Sequence, residues 1–262
     1  MNADRPVVKI CGVRTPESAL AVADARADLI GVNFANVSKR RVDLTTARRI
    51  VESLRERGDV PSPSLAERLR RGSYSLAARA EPPPPAVVGI VVEQSPHEIA
   101  VIAREVALHA VQLSGDCTPA ACIAIHDATG LEVFAVMRLG GASDVSRAIA
   151  LASTTGVVAV LVDAPGTVGG AGHAWDHSQA RAVVDGVAAL GVGVIVAGGL
   201  HEGNVGDALA RSGAWGVDVA SGVETAGMTD PDRVRAFVRA ARVAPLSQCA
   251  PVTTATDAPR GT

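Results

Sequence analysis

The sequence predicts an α/β fold, a single-domain (β/α)8 TIM barrel. Three observations carry that expectation. Short apolar runs rich in Val and Ile alternate with longer amphipathic segments eight times along the chain. The 262 residues suit one barrel, which typically uses about 250. Hydrophobic residues make up 48% of the chain but aromatic ones only 2%, so Val, Ala, Leu and Ile must supply the core, as in parallel strands covered on both faces.

The expected strands are Val7–Cys11, Asp28–Phe34, Val87–Val92, His109–Leu113, Glu132–Arg138, Val157–Asp163, Val192–Gly198 and Ala214–Ala220. Each is short and bounded by turn residues, and each is followed by a helical pattern. Three helices open on a hydroxyl cap followed by Pro at the first helical position: Thr15-Pro16, Ser95-Pro96 and Thr118-Pro119. The other helices are expected at Leu44–Arg57, Ser143–Ser153, His177–Leu190, Asn204–Ser212 and Pro231–Arg242. A doubly wound open sheet would seldom need eight units and would usually show a Gly-rich first turn. The barrel is expected over residues 1–246, interrupted at 59–86 by a Pro/Arg-rich insertion between the second helix and the third strand. The four prolines Pro82–Pro85 favour extended geometry there. Residues 247–262 are small and polar, and a disordered C-terminal tail is expected.

Composition narrows the function. The net charge is −2 with no basic stripe, which argues against a nucleic-acid partner. The start lacks the basic and apolar regions of a signal peptide, and the longest apolar stretch, Gly186 to Leu200, is shorter than the roughly 18 residues of a membrane helix. Cys11, Cys117, Cys122 and Cys249 are irregularly spaced, and none of the six histidines joins them at metal-binding spacing. The expectation is a cytoplasmic protein with free thiols, no bound metal and no cofactor.

In a barrel of this kind chemistry sits where strands end and βα loops begin, with phosphate near the loops after strands 7 and 8. Those positions hold Cys11 after strand 1, Arg40 beyond strand 2, Gln112 and Ser114 at strand 4 and Asp163 at strand 6. Gly198 and Gly199 follow strand 7, and Asp218, Ser221 and Gly222 close strand 8. Glycine at 198 and 199 would let backbone N–H groups approach a phosphate that side chains would block, and the turn at 220–222 offers a second set of donors.

An ordered set of motifs at these strand ends resembles the phosphoribosylanthranilate isomerase family of tryptophan biosynthesis. They are Lys9-Ile10-Cys11-Gly12, Ser38-Lys39-Arg40, Val111-Gln112-Leu113-x-Gly115, Asp163 followed by Gly169-Gly170-x-Gly172, Gly198-Gly199-Leu200 with Asn204-Val205, and Val217-Asp218-Val219-x-Ser221-Gly222-Val223-Glu224. Where the family usually carries His, this chain has Ser114. The resemblance implies a cofactor-free barrel that performs the Amadori rearrangement of a phosphoribosyl-arylamine. It assigns Cys11 as general base, Asp163 as general acid, and Arg40 (with Arg41 as rival) to the aromatic carboxylate. Gln112 and Ser114 fall near the aromatic amine, and Asp218 serves either the ribose or the structure.

The reaction needs one acid to open the furanose ring and one base to remove the C2 proton. Burial after an apolar strand should raise the Asp163 pKa, whereas Cys11 needs nearby positive charge to become thiolate. Of the six aromatic residues, only Phe34 and Trp175 lie where βα loops could flank the arylamine. A related phosphoribosyl-arylamine of a specialised pathway, or a catalytically silent phosphosugar-binding barrel, remain alternatives. The chain is expected as a monomer or homodimer.

Overall fold

In the computed structural model residues 5–58, 65, 83–115, 117–164 and 175–243 are described. Most of the expected insertion at 59–86, the loop at 165–174 and the tail at 247–262 lie outside them. Eight parallel strands close into a barrel in sequential order, β1 to β8 with β8 returning to β1. They are β1 (Val7–Cys11), β2 (Leu29–Asn33), β3 (Ala86–Val91), β4 (Ala110–Leu113), β5 (Glu132–Arg138), β6 (Val157–Asp163), β7 (Gly193–Val196) and β8 (Gly216–Val219). Between and after them run α1 (Pro16–Asp24), α2 (Leu44–Arg55), α3 (Pro96–Val106), α4 (Pro119–Thr129), α5 (Asp144–Ala152), α6 (Arg181–Val187), α7 (Val205–Ser212) and α8 (Pro231–Arg242).

The capping residues act as their chemistry dictates. Thr15, Ser95 and Thr118 each accept a hydrogen bond from a backbone N–H in the first turn, satisfying a donor the helix leaves open. Ser95 and Glu98 complete a reciprocal capping box. The expected start of α5 at Ser143 differs in detail. Ser143 makes no side-chain cap, and Asp144 Oδ2 instead accepts from Gly140 N at 2.8 Å and Gly141 N at 3.0 Å. The helix expected over His177–Leu190 is broken: one 3-10 turn (His177–Ala180) precedes α6 and another (Ala188–Leu190) follows it. Gly191 in the left-handed region, with φ 68°, ends it.

Alternation along each strand divides the apolar residues between two layers. The outer layer, between strands and helices, is formed by residues such as Val8, Ile10, Ile30, Val32, Ala135 and Val160. The barrel interior is filled by Val7, Leu29, Val88, Ala110, Phe134, Ala159, Leu161 and Ile195, with Leu65 joining them. Lys9 also lies on that inner face, a charged side chain with 0% exposure. The same alternation decides which strand-end residues reach the barrel mouth.

Candidate active site

On β1 the period of two places Val7, Lys9 and Cys11 on one inward face. The same rule carries Asn33, Gln112, Arg138, Asp163 and Asp218 to the interior or mouth on their own strands, and all five line one cavity of about 820 Å³ together with Cys11. Of the residues expected in the site, Arg40, Ser114, Gly198, Gly199 and Ser221 also line it. Gly222 does not; its place is structural. A Cβ there would lie 1.8 Å from the Leu200 carbonyl oxygen, so only glycine lets the loop after β8 pack against the loop after β7.

Asp163 ends β6, and its Oδ1 accepts a hydrogen bond from Ala164 N at 2.8 Å. Burial raises its pKa above the usual carboxylate value; the Ala164 bond opposes the rise and the nearby Asp218 charge adds to it. The expectation from the apolar strand sequence holds for this residue. For Cys11 the environment is mixed. Burial pushes the thiol up to about 11 and Asp218 adds to that rise, while Lys9 and Arg40 pull it down.

Lys9 and Asp218 face each other in register across β1 and β8, with Nζ 2.8 Å from Oδ1. Lys9 stands in the family-like motif of the sequence, yet motif reading alone gave it no role. The legible signal was a lone lysine in an otherwise apolar strand, two residues from Cys11 and so on the same face.

Arg40, rather than the exposed Arg41, turns inward. Its Nε lies 2.5 Å from Glu224 Oε1 and its Nη2 2.8 Å from Glu224 Oε2. Arg40 Cδ also fills the space beside Gly12, whose φ of +79° and absent Cβ are both required there.

At β4, Gln112 Nε2 donates to Ser114 Oγ at 3.0 Å. Gln112 Oε1 and Arg138 Nε are buried with no hydrogen-bond partner among the described residues. Arg138 was not among the residues expected in the site. It ends β5 directly beside Asp163 in register, and an arginine closing an apolar strand was its visible sign.

The loop after β7 is held by its carbonyls. Trp175 Nε1 donates to Ala197 O at 2.8 Å, His177 Nε2 lies 3.2 Å from Gly198 O, and Asn204 Nδ2 donates to Gly199 O at 2.9 Å. Gly198 and Gly199 both have positive φ, +86° and +64°.

Neither aromatic residue expected beside the arylamine joins the described cavity wall. Phe34 falls on the outward register of β2 after Ile30 and Val32, and it is buried in the outer core. Trp175 is tied to Ala197 and stacks against His177, with ring centroids 4.6 Å apart. The apolar wall is aliphatic instead, formed by Ile90, Val92, Val136 and Leu161. Among the described residues no group of three or more His, Cys, Asp or Glu could hold a metal ion. No helix among them is long and apolar enough to cross a membrane.

Known proteins resemble this chain in sequence and fold. A family profile described as N-(5'phosphoribosyl)anthranilate (PRA) isomerase matches residues 70–240. The N-(5'-phosphoribosyl)anthranilate isomerase of Myxococcus xanthus is 38% identical over 238 residues, covering 90% of this chain and 95% of its own. That of Chlorobaculum parvum is 36% identical over 239 residues, covering 90% and 94%. Among solved structures, the phosphoribosyl anthranilate isomerase of Thermotoga maritima superposes with TM-score 0.70 at 28% identity, over 90% of this chain and 98% of that one. A phosphoribosyl anthranilate isomerase in complex with reduced 1-(o-carboxyphenylamino)-1-deoxyribulose 5-phosphate gives TM-score 0.66 at 26% identity, over 90% and 98%. The chain belongs to the N-(5'-phosphoribosyl)anthranilate isomerase family.

Proposed function

We propose that the protein isomerises N-(5'-phosphoribosyl)anthranilate to 1-(2-carboxyphenylamino)-1-deoxyribulose 5-phosphate, a step of tryptophan biosynthesis, with Asp163 as general acid and Cys11 as general base. The observation that carries this reading is that Cys11 and Asp163 line the same cavity from β1 and β6, inside a chain of this family. A catalytically silent barrel has no need of that convergence.

The steps follow from the groups present. Protonated Asp163, favoured by its burial, gives its proton to the furanose ring oxygen. The C1–O bond breaks and the arylamine lone pair forms a C1=N iminium. The iminium acidifies C2–H, and Cys11 takes that proton; the electron pair of the C–H bond forms an enolamine, which tautomerises to the aminoketose. The positive charge generated at the iminium favours thiolate over thiol at Cys11, offsetting the burial that holds the thiol protonated in the resting site.

Binding is divided along the cavity. With the carbonyls of Ala197, Gly198 and Gly199 engaged, the loop's N–H groups and those near Ser221 supply phosphate donors. Arg40, held edge-on by Glu224, keeps its Nη1 for the anthranilate carboxylate. The aliphatic wall takes the ring. Asp218 serves the ribose from its second oxygen while Oδ1 holds Lys9. A cytoplasmic location, as a monomer or homodimer, accompanies this reading; one Thermotoga maritima neighbour is described as monomers generated from a dimeric isomerase.

The test is complementation of a tryptophan auxotroph lacking this isomerase, paired with a fluorescence assay on substrate generated in situ. Growth and turnover are expected. No turnover by the purified, folded protein would overturn the assignment.

A further inference from the structure

We propose that Lys9 is a positioning residue for the reaction: its ammonium, seated beside Asp218 and Cys11 inside the barrel, stabilises the thiolate form of Cys11 that removes the C2 proton. This rests on the role of Cys11 as general base given above.

The seat is built from three strands. Lys9 lies two residues before Cys11 on the inward face of β1, so its long side chain runs up the interior toward the thiol. On β8, Asp218 faces Lys9 in register and accepts from Nζ at 2.8 Å. On β2, Gly31 faces Cys11 in register. A Cβ on Gly31 would lie 3.1 Å from Lys9 Nζ and 3.2 Å from Cys11 Cα, so the missing side chain leaves the room that brings the ammonium level with Cys11. Burial raises the thiol pKa, and the nearby Lys9 charge opposes that rise.

A lysine with 0% exposure is a costly choice for a barrel interior, where apolar residues of similar volume pack as well or better. Asp218 alone does not account for it, because an apolar pair at 9 and 218 would fill the same space. The cluster makes sense around the sulfur. Lys9 from β1 and Arg40 from the loop after β2 are the cations facing Cys11; Asp218 from β8 is the facing carboxylate, and Glu224 beyond β8 holds Arg40. Lys9 supplies charge, not a proton: burial works against its charged form, but the facing Asp218 carboxylate outweighs that and keeps the ammonium protonated while the sulfur changes state.

The test reads Cys11 directly in the free enzyme, by iodoacetamide alkylation followed peptide by peptide across pH, so that Cys117, Cys122 and Cys249 are resolved separately. Lys9→Met is expected to slow Cys11 alkylation at pH 8 by about tenfold or more. Asp218→Asn, which leaves Lys9 with the sulfur as its remaining partner, is expected to speed it by a few-fold. Opposite signs are what a charge role gives; a structural role would move both variants the same way. If Lys9→Met does not fold, the double variant Lys9→Met/Asp218→Asn, with no unpaired carboxylate, is expected to alkylate more slowly than the wild type.

In turnover, Lys9→Met should move the acid limb of kcat/KM to higher pH with little change in KM. Unchanged or faster alkylation in Lys9→Met, or slower alkylation in Asp218→Asn, would overturn the proposal. An acid limb that stays in place in Lys9→Met, with alkylation behaving as expected, would instead count against Cys11 as the base of this reaction.

Discussion

Arg40 and Glu224 form a two-contact ion pair, 2.5 Å from Nε to Oε1 and 2.8 Å from Nη2 to Oε2, that ties the loop after β2 to the segment after β8 across the barrel mouth. Both side chains are nearly buried, at 9% and 8% exposure, so the pair is held more firmly than one on the surface. The geometry fixes the guanidinium plane and leaves its far edge toward the cavity. Glu224→Gln keeps the shape but removes the charge, so the guanidinium loses its orientation more than its place. The expected outcome is a KM raised about tenfold with kcat changed by less than threefold, and a lowered melting temperature, since weakening a buried pair from one side costs up to about 3–5 kcal/mol. Steady-state kinetics and a thermal melt check both.

Asp163→Asn should separate activity from stability. A general acid contributes about 10²–10⁴-fold, so kcat should fall by that range while a reduced product analogue still binds. Stability moves the other way. Burial raises the folded-state pKa of Asp163 above the unfolded value near 3.9. Protonated Asp163 is therefore the comfortable form, and its contribution is present below pH of about 4 and lost as pH rises through the folded pKa. Asparagine avoids that loss and can still accept from Ala164 N. The variant should match the wild type in acid and melt higher at neutral pH, with the gap growing from about pH 4 to a plateau. Melts across pH that show no such gap would count against a strained Asp163 carboxylate.

The barrel was legible because two periodicities were visible at once: β-branched runs such as Val157–Asp163 and capped amphipathic stretches such as Thr15-Pro16-Glu17. The inward positions could also be counted off, and Cys11, Asp163, Gln112 and Asp218 arrive at one cavity as alternation requires. The same count, applied to Phe34 at the end of its strand, places it outward, in the outer core rather than beside the arylamine. Contacts between distant strands were not legible. Nothing local in Lys9, Asp218, Arg40 or Glu224 states that the four form two ion pairs, because pairing of β1 with β8 is set by closure of the whole sheet. Gly222 looked like a phosphate donor by its neighbours, whereas its requirement comes from Leu200, whose carbonyl occupies the space of a side chain.

Gly222→Ala tests that close approach. The added methyl would meet the Leu200 carbonyl at 1.8 Å, and neither backbone can yield without shifting the loops after β7 and β8. Those loops carry the proposed phosphate donors, so the affinity for inorganic phosphate as a competitive inhibitor should fall by about tenfold or more. The strain should also cost about 1–3 kcal/mol in stability, as overpacking does. The pH limbs set by Cys11 and Asp163 should stay where they are. Inhibition constants and the pH profile distinguish a displaced phosphate site from a general loss of the fold.

Arg138 offers a test of opposite signs at the other wall of the cavity. Its Nε is buried without a partner among the described residues, and an unsatisfied buried donor costs about 1–3 kcal/mol. The Gln112 carbonyl oxygen, one strand away, is in the same condition. A ligand that presents an acceptor to Arg138 and a donor to Gln112 would satisfy both, and an arylamine with an ortho carboxylate carries that combination. Arg138→Met should therefore leave the free protein as stable as the wild type or more so, because the stranded donor is gone. Binding of the reduced product analogue should weaken by about tenfold, since the variant gains nothing when the cavity fills. A melt in the absence of ligand and calorimetric titration with the analogue measure the two halves. A variant that melts well below the wild type and binds the analogue equally well would show that Arg138 serves the barrel wall rather than the substrate.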